Sequence, residues 1–310
     1  MKIVFLDVKT IGEDIDLSGF EQLGEVIKFG FSRDEEVAQR IEDADVVVLN
    51  KVQINKETLG NPKNLKLICV TATGTNNLDK ALLDEKGIAW RNVAGYSTES
   101  VAQHTFALLF YLMEHLPYYD IYVKGGDYAG DELFTHFAQT FHELCGKTWG
   151  IIGLGNIGKR VAGIAQAFGC KVIYHSTSGN NHDPDYTEVS LDELLAKSDI
   201  VSVHAPLTEQ TEGLMDYDKF CKMKPTGIFL NLGRGPIVVE KDLRRALDEG
   251  KIGAAGLDVL SVEPMSKESP FLENPPENLF ITPHIAWASI EARTRLMKII
   301  EGQIKEFFEL

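Results

Sequence analysis

Cysteine is scarce in this sequence: four in 310 residues, at Cys69, Cys145, Cys170 and Cys221, with no two spaced as CxxC. That argues against a disulfide framework or a thiolate zinc site and reads as isolated buried thiols in a reducing compartment. The eight histidines contain no HExxH, and His136 and His142, six apart, fit no common ligand pair, so no metal is expected. No run approaches the roughly 18 apolar residues of a membrane span. The first apolar run, Ile3–Leu6, is closed by Asp7 and reads as a strand rather than a signal peptide. Basic residues are in deficit: 31 Lys plus Arg face 46 Asp plus Glu, a net charge of −15. That disfavours a nucleic-acid backbone or an anionic membrane as partner. There is no internal repeat and no low-complexity segment. The expectation is a cytoplasmic protein. Its 44% hydrophobic and 25% charged residues are an ordinary globular mix, and its length suits two domains.

What is present is alternation. Short apolar runs at Ile3–Leu6, Val46–Leu49, Leu67–Val70 and Ile88–Trp90 are separated by helical patterns such as Asp34–Asp45 and Asn77–Lys86. This is the pattern of βαβ units around a parallel sheet. Ser97–Met113 reads as a long buried helix opened by cap residues. Tyr118–His142 is polar, Gly-rich and aromatic with no clear period, and reads as a loop, lid or oligomer contact. A second series follows: strands at Trp149–Ile152, Lys171–Tyr174, Ile200–His204, Ile228–Leu232, Gly256–Val259 and Leu279–Thr282, then a last helix, Ser289–Phe308. Six parallel strands predict a complete dinucleotide-binding fold. The fold class is thus α/β, with two doubly wound parallel sheets.

The strand Trp149–Ile152 runs into Gly153-Leu154-Gly155-Asn156-Ile157-Gly158 and then a helix. Gly153 permits the tight turn, Gly155 lets backbone approach a pyrophosphate, and Gly158 lets helix and strand pack closely. The pyrophosphate would meet the free N–H groups of the helix start. Ser176 lies 18 residues after Gly158, where an NAD-preferring site carries an acid. Hydroxyls at Ser176, Thr177 and Ser178 suit either a 2′-OH or a 2′-phosphate. No Lys or Arg occurs from Val172 to Ala196 to neutralise a phosphate, so the expectation is NAD, with NADP possible. Asp183 and Asp185 read as a solvated loop.

Three polar residues follow three successive strand patterns: Arg234 in Asn231-Leu232-Gly233-Arg234-Gly235, Glu263 in Ser261-Val262-Glu263-Pro264, and His284 in Thr282-Pro283-His284. Ligands of open α/β sheets bind beyond the carboxyl ends of the strands. Reducing a ketone makes an alkoxide that needs a proton, which His284 can supply near neutral pH. Glu263 can fix the imidazole tautomer, and the planar fork of Arg234 suits a carboxylate. Together they describe reduction of a 2-keto acid.

With the glycine turn, the segments Leu191–Leu195 to Val203–Thr208 and Met223–Pro225 to Asn231–Gly235, and Pro283-His284, the chain resembles a D-isomer-specific 2-hydroxyacid dehydrogenase over essentially its whole length. The resemblance implies that Arg234, Glu263 and His284 are the catalytic trio. It implies a cofactor site that extends from Gly153, Gly155, Asn156, Ile157 and Gly158 through Ser176 and Thr177. His204, Ala205, Pro206 and Thr211 would border the cofactor, with Leu232 and Gly233. Asp258 would hold the nicotinamide carboxamide and Thr105 would lie close by. Backbone N–H groups at Thr73 and Gly74 would take the substrate carboxylate. Asn50, Lys51 and Trp287 are further substrate-site candidates, with surface and packing roles as their alternatives.

The resemblance also implies the domain plan: a flavodoxin-like substrate domain, 1–97 and 288–310, interrupted by a Rossmann NAD(P)-binding domain, 98–287, with the catalytic cleft between them. A homodimer is implied, with Tyr118–Tyr128 in the contact. Gly95–Thr98, Val101–Thr105 and His284–Trp287 are most similar to the glycerate dehydrogenase (hydroxypyruvate reductase) branch. Formate dehydrogenases carry Gln where Glu263 stands, and phosphoglycerate dehydrogenases often add C-terminal domains. A D-lactate dehydrogenase, another 2-ketoacid reductase or, remotely, a nucleotide-sensing corepressor is the alternative.

Overall fold

In the computed structural model, which describes residues 1–180 and 182–310, the chain forms two compact units, Met1–Ser97 with Trp287–Leu310, and Thr98–Ala286. Trp287 goes with the first unit, so the chain re-enters it one residue earlier than the sequence reading places the return.

The first unit runs β1 (Lys2–Phe5), α1 (Ser18–Glu21), β2 (Glu25–Lys28), α2 (Asp34–Ile41), β3 (Val46–Leu49), β4 (Leu67–Val70), α3 (Lys80–Lys86) and β5 (Ala89–Arg91). The strands form one parallel sheet in the order β2-β1-β3-β4-β5. β3 and β4 are buried along their whole length, as strands covered on both faces must be. β2 escapes the sequence reading because it is an edge strand, with charged, exposed Glu25 and Lys28 at its ends.

The second unit opens with α4 (Thr98–Met113) and α5 (Leu116–Gly125). α5 corrects the expectation of an irregular segment from Tyr118. It buries no residue, so it has no apolar stripe for a period to reveal. Then follow β6 (Thr148–Ile152), α6 (Asn156–Ala167), β7 (Lys171–His175), β8 (Thr187–Glu188), α7 (Leu191–Lys197), β9 (Ile200–Val203), α8 (Tyr217–Phe220), β10 (Ile228–Asn231), α9 (Glu240–Asp248), β11 (Ala254–Leu257) and β12 (Leu279–Ile281). The sheet is parallel, in the order β12-β11-β10-β9-β6-β7-β8. It has seven strands rather than the six expected, because the two-residue β8 is too short to show in sequence. β11 ends two residues before the run expected there, so Asp258 is the first residue past the strand.

The last helix, α10 (Ile290–Phe308), belongs to the first unit. Ser289 caps it, its Oγ accepting from Ala292 N at 3.2 Å. Leu296, Ile300 and Ile304 then recur on one face and join Ile3, Phe5 and Phe20 in the core. Of the cysteines, Cys69 and Cys170 are buried as expected, but Cys145 and Cys221 are exposed.

Candidate active site

Three loops of the second unit leave adjacent strands β10, β11 and β12 at their carboxyl ends. The first carries Arg234. Asn231 shapes it: its side-chain N–H donates to Arg234 O at 3.0 Å, and its Oδ1 accepts from Gly233 N at 3.1 Å. The next residue must be glycine, since a Cβ on Gly235 would fall 1.9 Å from the carbonyl of Leu260. That contact presses the Arg234 turn onto the loop bearing Glu263. The Arg234 guanidinium donates Nη1 to its neighbour's carbonyl, Gly233 O, at 2.8 Å.

The second loop carries Glu263. Its Oε1 accepts from Leu260 N at 3.0 Å, and its Oε2 lies 2.7 Å from His284 Nδ1. The third loop presents His284 with φ +54°, a backbone conformation that non-glycine residues seldom adopt. Asp258 holds it there. Its main-chain O accepts from His284 N at 2.8 Å. Its Oδ1 accepts from Thr282 Oγ1 at 2.7 Å and Ile285 N at 2.9 Å, and its Oδ2 from Ala286 N at 3.0 Å. Asp258 is 2% exposed. Its carboxylate thus helps to fix the His284 turn.

His104 braces the same turn and is the residue that sequence reasoning passed over. Its Nε2 lies 3.0 Å from Thr282 Oγ1. Burial pushes its imidazole down while the Asp258 charge pulls it up. The neighbouring Thr105, expected near the cofactor, is fully buried and donates its hydroxyl to Val101 O at 2.8 Å. It therefore packs α4 and offers no exposed atom. The Thr211 hydroxyl donates to Pro206 O at 2.7 Å and accepts from Thr208 N at 2.8 Å, closing the 206–211 turn.

The glycine turn follows β6. Gly153 sits at φ +92°, and a Cβ there would lie 2.8 Å from Ala205 backbone, so both reasons demand glycine. A Cβ on Gly158 would fall 2.3 Å from Gly153 O, which is the close helix–strand contact expected of it. A Cβ on Gly155 would meet nothing within 4 Å, so open ground lies beside the first N–H groups of α6 (Asn156, Ile157 and Gly158), which no side chain caps among the described residues. β9 and β7 flank β6 in the sheet, and each ends in a buried polar atom with no partner among the described residues: His204 Nδ1 past β9 and Ser176 Oγ past β7. Burial pushes the His204 imidazole down to about 3, so it stays neutral. Two orphaned polar atoms on either side of an open glycine turn fit a polar dinucleotide, and these residues, with half-buried Thr177, would hold it. Ala205 is buried and Pro206 exposed where they leave β9, and Leu232 and Gly233 are buried beyond β10.

In the first unit, the loop after β3 is anchored by Asp7, whose carboxylate accepts from Asn50 N, Lys51 N and Val52 N at 2.9, 2.7 and 3.2 Å. Burial pushes this carboxyl up, against the pull of the three N–H groups. Asn50 is buried and Lys51 exposed. Thr73 donates its hydroxyl to Val93 O at 3.0 Å, leaving its backbone in a loop with Gly74. Trp287 packs edge-on against Tyr96, ring centroids 6.3 Å apart, as part of this unit's core.

Comparison with known proteins bears on this arrangement. The family described as D-isomer specific 2-hydroxyacid dehydrogenase, NAD binding domain, matches residues 106–286. A protein of Blautia hydrogenotrophica named hydroxypyruvate reductase is 40% identical, covering 100% of this chain and 97% of its own. A glycerate dehydrogenase of Methylorubrum extorquens is 34% identical over 99% of this chain and 95% of its own. Among solved structures, an acyclic imino acid reductase in complex with NADPH and D-Arg superposes with a TM-score of 0.87 at 30% identity, covering 100% and 97% of the two chains.

Proposed function

Because this chain belongs to the D-isomer specific 2-hydroxyacid dehydrogenase family and is an NAD(P)-dependent oxidoreductase, we propose that it reversibly reduces a small 2-keto acid, hydroxypyruvate to D-glycerate or glyoxylate to glycolate. The observation that carries this reading is the 2.7 Å contact between His284 Nδ1 and Glu263 Oε2. With Nδ1 committed to the carboxylate, the proton available to substrate is on Nε2. His284 gives that proton to the C2 oxygen during reduction and takes it back during oxidation. Glu263 holds the ring in this tautomer and offsets the imidazolium charge. Arg234 takes the substrate carboxylate, swinging from its neighbour's carbonyl to a bidentate contact. A bound nicotinamide would supply the hydride to C2 in reduction and accept it in oxidation. The names of the 40% and 34% identical relatives support the choice of acid.

In this reading Thr73 and Gly74 offer backbone N–H groups to the carboxylate, and Lys51 and Asn50 meet a substrate hydroxyl or carboxylate. The first unit is then the substrate domain and the second the cofactor domain. The protein acts as a homodimer through the 116–141 segment, where Phe134 and Phe137 are 87% and 85% exposed. Its four free cysteines suit the cytoplasm. The test is a panel of hydroxypyruvate, glyoxylate and pyruvate with NADH and NADPH. Consumption of reduced nucleotide with the first two supports the reading. Preference for pyruvate moves it to a lactate dehydrogenase, and nucleotide binding without turnover of any acid contradicts it.

A further inference from the structure

The end of β7 is the place where a dinucleotide site chooses between a ribose hydroxyl and a 2′-phosphate. The first acid after β7 in the sequence is Asp183. Its carboxylate is not available to a ribose. Oδ2 meets Lys159 Nζ at 2.8 Å and Oδ1 accepts from Asp185 N at 3.0 Å. The Lys159 ammonium holds this carboxyl below its ordinary range. The lysine itself comes from the first turn of α6, directly after Gly158, and its side chain is about half exposed. The local sequence around β7 has no cation, and the fold delivers one. Just past β7, Ser176 is 8% exposed and its Oγ has no partner among the described residues. Thr177 follows, half-buried.

We infer that Lys159, Ser176 and Thr177 form a 2′-phosphate subsite, so that the protein binds NADP(H) in preference to NAD(H). This rests on the reading of the second unit as a nucleotide-binding unit. Asp183, whose N–H donates to the Tyr174 hydroxyl of β7 at 3.2 Å, is the resting counter-ion of that lysine. A phosphate monoester carries up to two charges and three acceptor oxygens, so it outcompetes a single carboxylate for the ammonium. The two hydroxyls donate to its remaining oxygens, which gives the buried Ser176 Oγ the partner it lacks. A ribose 2′-OH offers the ammonium no charge to meet.

The test is equilibrium binding of NADPH and NADH to the full chain, followed by nucleotide fluorescence without substrate. The wild type is expected to bind NADPH about tenfold or more tighter than NADH, with the NADPH affinity falling more steeply as salt rises. Lys159→Met is expected to weaken NADPH by about tenfold and leave NADH within twofold, Lys159→Arg to retain NADPH, and Asp183→Asn to bind NADPH as tightly as wild type or tighter. NADH binding as tightly as NADPH in the wild type overturns the inference alone, as does a Lys159→Met variant that loses both nucleotides equally or neither. If neither nucleotide binds the wild type, the nucleotide-binding reading falls and this inference with it.

Discussion

His284 Nδ1 and Glu263 Oε2 stand 2.7 Å apart, joining loops that leave the neighbouring strands β12 and β11. The pair leaves Nε2 as the one ring atom for proton exchange with substrate. Replacing His284 with Ala should therefore lower kcat by roughly two to four orders of magnitude, the usual scale of general acid–base catalysis. Nucleotide binding should be unchanged. Steady-state kinetics alongside a nucleotide titration separates the two effects, and near-normal turnover would remove His284 from the role.

Glu263→Gln keeps the shape of the contact but removes its charge. A neutral amide stabilises an imidazolium less, so turnover should fall by roughly tenfold to a hundredfold. The loss should be smaller than that of His284→Ala and should depend on pH differently from wild type. A pH–rate profile superimposable on that of wild type would count against the positioning role.

Arg234→Lys exchanges a planar fork for a point charge. The expected outcome is a fall in kcat/KM for the keto acid of about tenfold to a hundredfold, the worth of a charge-assisted bond lost in geometry. A kcat/KM equal to that of wild type would contradict carboxylate binding by this residue.

Asp258 ties down Thr282, Ile285 and Ala286 from a position 2% exposed. Removing its carboxylate strands the buried donors of Thr282 and Ala286, each costing about 1–3 kcal/mol when unpaired. Asp258→Ala should lower stability by about 2–5 kcal/mol and lower kcat by releasing His284 from its φ +54° turn. Denaturant unfolding and kinetics on the same preparation check both halves. Loss of nucleotide affinity with kcat and stability intact would instead favour a direct contact to the cofactor.

His204 is half-buried, and burial of its ring pushes the imidazole down from the ordinary 6.5 to about 3, which keeps it neutral. The unfolded chain takes up the proton first, so the stability this group contributes is complete above about pH 6.5 and is lost as pH falls toward 3. Between pH 6.5 and about pH 5 that loss amounts to about 2 kcal/mol. A His204→Gln variant should lose less stability than wild type over the same range. Parallel pH–stability curves for the two proteins would contradict this account.

Much of the fold is legible in sequence because parallel strands covered on both faces must be continuously apolar, as in Val46–Leu49 and Leu67–Val70. The loops that carry Arg234, Glu263 and His284 are legible for a related reason: each follows such a run. β2 and α5 are not, since one lies at an edge and the other buries nothing. Nor could sequence show that Asp258, Thr105 and Thr211 spend their oxygens on neighbouring backbone and hydroxyl groups. Those partners are set by how loops close. The same holds for Lys159, which lies outside the window that reads as empty of cations and is brought to Asp183 by the packing of α6 beside β7.

In the proposed reaction His284, held by Glu263, protonates the 2-keto acid as it is reduced. The most direct measurement is the stoichiometry of reduced nucleotide consumed per hydroxypyruvate converted to D-glycerate, in wild type and His284→Ala. The account predicts one-to-one consumption in the wild type and, in the variant, bound nucleotide with turnover nearly abolished. Wild-type protein that binds the nucleotide yet converts no 2-keto acid would contradict it.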